Sequence, residues 1–169
     1  MGGSRILIVF YSRSGTTRKI AQELARTLRC DLEEITEAKS RTGVFGYMRS
    51  ATEALLKRPV AIAATQRDVA GYDLVIVGTP VWCASLSSPV RAYLTANAVR
   101  LPDVAFFCCL GGSGSESTFA QMTAIVGKQP RAVCAIKQGD VQVGNYGGPL
   151  AIFEKALSVR TTNVESAGV

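Results

Sequence analysis

Residues 6–17 run Ile6-Leu7-Ile8-Val9-Phe10-Tyr11-Ser12-Arg13-Ser14-Gly15-Thr16-Thr17, and the chain continues with Ile20, Leu24 and Leu28 at helical spacing. The five opening residues are apolar without alternation, as a strand buried on both faces of a parallel sheet requires. The last three give the apolar stripe of a helix. Four hydroxyls and a glycine therefore fall where a strand hands over to a helix. The first N–H groups of a helix have no intrahelical acceptor, and the positive end of its dipole attracts negative charge. Such a turn suits an anion, and Ser12, Ser14, Thr16 and Thr17 add short neutral donors that match a phosphate. For this segment alone, plain helix capping by Ser or Thr is the alternative.

Spacing sharpens the first reading. Ser-x-Ser-Gly-x-Thr is neither the Gly-x-Gly-x-x-Gly of dinucleotide folds nor the lysine-bearing loop of nucleoside triphosphatases. Two further segments have the same plan of apolar run and loop. Asp73–Gly78 empties into Thr79-Pro80-Val81-Trp82-Cys83 before Ser87-Ser88-Pro89 opens a helix, and Val104–Cys109 empties into Leu110-Gly111-Gly112-Ser113-Gly114-Ser115. Missing side chains there let backbone approach a ligand. Strands near residues 5–10, 30–36, 73–78, 104–109 and 132–137 alternate with helical patterns. That alternation predicts a doubly wound α/β fold, a five-stranded parallel sheet of order 2-1-3-4-5 between two helical layers. Ligands of such sheets bind outside the carboxyl ends of the strands at the switch point, where the loops after strands one, three and four converge.

These three segments together resemble the flavodoxins, and the likeness extends from about Arg5 to about Leu157. The resemblance implies FMN as cofactor, with Ser12, Ser14, Gly15, Thr16 and Thr17 holding its phosphate and Arg13 as a further candidate beside them. Arg18 and Lys19 lie close by. It also implies that Thr79, Pro80, Val81, Trp82 and Cys83 border one edge of the flavin ring and Gly111, Gly112, Ser113 and Gly114 another. Trp82 either stacks on the ring or packs in the core. Many flavodoxins carry a glycine whose peptide flips on reduction, where this chain has Cys83 and Ala84. Electron transfer through bound flavin is the first function implied. NAD(P)H-dependent reduction of a quinone or similar acceptor is the second, although the Gly-Ser-x-Arg-x-x-Ser loop of NADPH-dependent FMN reductases is absent. A non-redox module for another phosphorylated ligand is the third.

The 169 residues, 47% hydrophobic, fit one domain with a core over about 5–157 and a frayed tail. In the long segment 38–71, Phe45, Met48, Thr52, Leu55 and Leu56 predict a helix, and the stretch from Thr42 to Tyr47 is a candidate flap. No histidine is present, which excludes Cys/His zinc sites and Ser/His or Cys/His nucleophiles. Cys30, Cys108, Cys109 and Cys134 fall on predicted strands as reduced thiols, while Cys83 sits in a loop without a base to activate it. The apolar run at 6–10 is too short for a membrane span and has no signal-peptide pattern, so a cytoplasmic protein is expected. Nineteen Lys and Arg against 13 Asp and Glu give a net charge of +6 and a pI near 9.3, unlike the usual acidic carrier. The positive surface suits an acidic redox partner or an anionic substrate, or simply solubilises the domain, and no aromatic-interleaved basic strip points to nucleic acid.

Overall fold

A computed structural model describes residues 3–38 and 60–165, with side chains as far as residue 159. The segment holding Phe45, Met48, Thr52, Leu55 and Leu56, with the candidate flap, lies outside the described residues.

Strand β1 (Ile6–Phe10) leads into helix α1 (Thr16–Leu28), and strand β2 (Asp31–Glu34) follows. Beyond a single 3-10 turn come β3 (Leu74–Trp82), a two-residue strand β4 (Ser85–Leu86) and α2 (Ser88–Asn97). The chain then alternates through β5 (Asp103–Leu110), α3 (Ser115–Val126) and β6 (Val133–Lys137), and ends in α4 (Gln138–Val143) and α5 (Gly147–Glu165). The parallel strands lie in the order β2-β1-β3-β5-β6, which is the 2-1-3-4-5 expected. The difference is β4, an antiparallel strand that pairs with the end of β3 outside that path.

Both faces of the central strands are covered, which explains their unbroken apolar runs. Alternate residues supply two cores. Leu7, Val9, Val75, Val77, Val104 and Phe106 pack against Val90, Tyr93 and Leu94 of α2 and Met122 of α3. Ile8, Phe10, Ile76, Ala105 and Phe107 pack against Ile20 and Leu24 of α1 and Leu150, Phe153 and Leu157 of α5. Edge strand β2 reads Asp-Leu-Glu-Glu, and its carboxylates anchor its neighbours. Arg18 grips Glu34 through Nε at 2.9 Å and an Nη at 2.6 Å, while the Gln66 and Arg67 N–H groups donate to Glu33. Charge on an edge strand also discourages pairing with another sheet.

Cys108, Cys109 and Cys134 are buried, and Cys30 is half-buried just ahead of β2 rather than within it. Burial pushes the Cys108 and Cys109 thiols up to about 12, and those of Cys30 and Cys134 up to about 11, from the ordinary 9.0. Tyr11 and Tyr93 are raised the same way, again chiefly by burial. Above pH 9 the unfolded chain releases protons that the folded chain retains. Stability supplied by these groups is therefore complete below that pH and is lost as pH rises toward about 12. We expect the Tm to fall steeply between about pH 9 and pH 11 and Cys108→Val to flatten that fall. A wild-type Tm independent of pH across this range would contradict the assignment.

Candidate functional site

The carboxyl ends of β1, β3 and β5 open onto one edge of the sheet, and the first loop there is Tyr11–Gly15. Gly15 caps α1 in the left-handed region, φ 91, and turns the chain sharply into the helix. Ser12 is buried, and its Oγ accepts from the N–H groups of Gly15 at 3.2 Å and Arg18 at 3.1 Å. Its hydroxyl thus shapes the loop from within. Thr17 is also buried, under the loop. Outward donors remain: Ser14 and Thr16 hydroxyls 3.3 Å apart, and the N–H groups of Thr16 and Thr17, which open the helix without intrahelical acceptors. Arg13 is exposed beside them. Lys19 turns away, donating to the Val141 carbonyl at 3.3 Å with its ammonium over the Tyr146 ring, and Arg18 is held by Glu34. With no acidic residue in the first turn of α1, this donor set fits a phosphate monoester.

The second loop is a hairpin rather than an open coil. Val81 pairs with Leu86 and Trp82 with Ser85, so Cys83 and Ala84 form a two-residue turn, both with positive φ. Thr79 is wholly buried. Its Oγ accepts from the Ser87 N–H at 3.0 Å and donates to the Pro80 carbonyl at 2.9 Å, which holds the entry to α2. Trp82 packs half-buried on the core and meets Tyr11 edge-on, ring centroids 5.7 Å apart at 89°. Tyr11 in turn donates to Glu37 at 2.6 Å. The core-packing reading of Trp82 is what the structure shows, with its ring beside Tyr11 at the end of β3. Cys83 is exposed at the tip.

The third loop, Gly111–Gly114, reaches the second. A Cβ on Gly114 would lie 2.7 Å from the Ala84 Cα and 3.2 Å from a Val81 methyl, while Gly111 and Gly112 face open space. Gly114 also caps α3 with φ 105. Thus Ser12–Thr17, Thr79–Cys83 and Gly111–Gly114 converge at the switch point, as expected. Sequence reasoning missed Tyr11, Glu37, Arg91 and Gln121, which brace these loops. Only Tyr11 carried a signal, as an aromatic at a strand end. Among the described residues, no group of three or more His, Cys, Asp or Glu side chains is placed to hold a metal ion.

A family model for flavodoxin matches residues 5–139. The chain belongs to the flavodoxin family. No curated protein sequence matches it. Solved flavodoxin-like folds do. A flavoprotein of Lactobacillus acidophilus NCFM, solved in complex with FMN, is 23% identical with a TM-score of 0.69, covering 85% of this chain and 99% of its own. A Bacteroides eggerthii DSM 20697 protein is 20% identical with a TM-score of 0.71, covering 90% and 99%. Two-electron reduced Megasphaera elsdenii flavodoxin is 22% identical with a TM-score of 0.52, covering 79% and 85%. In this flavodoxin, no helix among the described residues is long and apolar enough to cross a membrane.

Proposed function

We propose that this flavodoxin binds one FMN and passes electrons through it as a redox carrier. The observation behind this reading is the meeting of three loops at one sheet edge: a set of outward phosphate donors at the start of α1, a Tyr11–Trp82 contact, and Gly114 against Ala84. When bound, FMN supplies the electron chemistry, and the protein supplies binding, orientation and electrostatics.

In this reading the Ser14 and Thr16 hydroxyls and the Thr16 and Thr17 N–H groups hold the phosphate, with Arg13 at its side. Ser12 and Gly15 keep that loop in shape. Backbone of Thr79–Cys83 and of Gly111–Gly114 borders the ring, where short or missing side chains on the second of these loops leave room. Five free cysteines suit a reducing compartment and a cytoplasmic carrier. The net charge of +6 favours an acidic docking partner.

Anaerobic titration of the FMN complex with NADH and NADPH, followed by flavin absorbance, tests the role. A carrier keeps its flavin oxidised in both nucleotides and is bleached by dithionite. Prompt bleaching by a nucleotide would replace the carrier with an NAD(P)H-dependent oxidoreductase, and failure to bind FMN would overturn both.

A further inference from the structure

The β3–β4 turn is held in a conformation its residues disfavour. Two-residue hairpins of this hand call for Asn, Asp or Gly, yet Cys83 and Ala84 adopt φ 49 and 55. Persistent strain of this kind needs surroundings that over-determine it. Those surroundings lie behind the turn. Gln121 of α3 donates from Nε2 to the Ala84 carbonyl at 3.3 Å, and its Oε1 accepts from the Ser85 hydroxyl at 2.7 Å. The same oxygen accepts from an Arg91 Nη at 2.5 Å, which also donates to Ser85 Oγ at 3.1 Å.

Arg91 is the unusual member. It is 8% exposed, its Nε is buried without an acceptor, and no carboxylate among the described residues pairs with it. A buried cation is costly unless compensated, and a guanidinium does not escape by losing its proton. Its acceptor is a neutral glutamine, where a glutamate would neutralise the charge.

We propose that Arg91 is a positioning residue for the flavin-bordering turn and that its uncompensated charge raises the midpoint potential of FMN bound there. This rests on the FMN reading above. Reduction by an external donor adds two electrons and one proton to the ring, hence one net negative charge, and a fixed cation behind the bordering loop favours that change. The residue acts through Ser85, Gln121 and the Ala84 peptide.

The test is the midpoint potential of bound FMN, measured by equilibration with redox dyes. In Arg91→Gln the preference for reduced over oxidised flavin should fall about tenfold, a shift of about 30 mV for a two-electron couple. Arg91→Lys keeps the charge and should stay near wild type. Gln121→Glu sets a carboxylate against the guanidinium and should lower the potential as Arg91→Gln does, and it carries the test if Arg91→Gln fails to fold. A wild-type potential in Gln121→Glu, or a Lys variant shifted as far as the Gln variant, overturns the proposal. Failure of the wild-type protein to bind FMN would instead remove the reading beneath it.

Discussion

Thr16→Glu is expected to weaken FMN binding by about a thousandfold while leaving the unliganded fold intact. Thr16 opens α1, and its N–H and hydroxyl belong to the outward donor set. A charge-assisted hydrogen bond contributes about 1.5–3 kcal/mol, and a like charge brought against the phosphate costs several kcal/mol more. A thousandfold loss corresponds to about 4 kcal/mol. The same substitution places an acid in a first turn that has none, where it complements the helix dipole. The apo protein should therefore melt at or slightly above the wild-type temperature. Parallel fluorescence titrations with FMN and riboflavin check this, because riboflavin lacks the phosphate and should bind wild type and variant alike. Equal loss of both ligands would place the defect outside the phosphate loop.

Gly114→Ala should destabilise the protein by about 3 kcal/mol, combining positive-φ strain with overpacking. Gly114 holds φ 105, and the added Cβ would meet the Ala84 Cα at 2.7 Å, a backbone atom that has no rotamer to yield. The turn bearing Cys83 and Ala84 is pinned by Gln121, so it cannot retreat without breaking that hydrogen bond. The expected fall in Tm is about 10 °C. Gly112→Ala, in the same loop but with open space at its Cβ, should leave the Tm near wild type. Comparable losses in the two variants would show that loop flexibility, rather than contact with the hairpin, sets the effect.

The framework was legible because burial on both faces writes itself into sequence. Ile6–Phe10, Leu74–Gly78 and Val104–Cys109 show no alternation, and these runs identified the parallel sheet and the three loops, while the order was the usual one for such a sheet. The flavodoxin resemblance rested on residues at strand ends, and the family match confirms it. The β3–β4 hairpin was not legible. Its turn is Cys83-Ala84, which carries none of the Asn-Gly or Asp-Gly chemistry that usually announces such a turn. Nor were the inward roles of the Ser12 and Thr79 hydroxyls, because a serine that shapes a loop and one that binds a ligand are identical in sequence. Arg91 and Gln121 lie mid-helix, where a charged or amide residue ordinarily reads as solvent-exposed. Their meeting with Ser85 depends on packing between α2, α3 and the hairpin, which no local pattern encodes.

The central claim is that the loop from Ser12 to Thr17 is a phosphate cradle for FMN. Isothermal titration of the apo protein with FMN and then with riboflavin tests it most directly. The account predicts one saturable equivalent of FMN, with riboflavin at least about a hundredfold weaker, the equivalent of two charge-assisted hydrogen bonds lost. Absence of saturable FMN binding, or equal affinity for the two flavins, would contradict it.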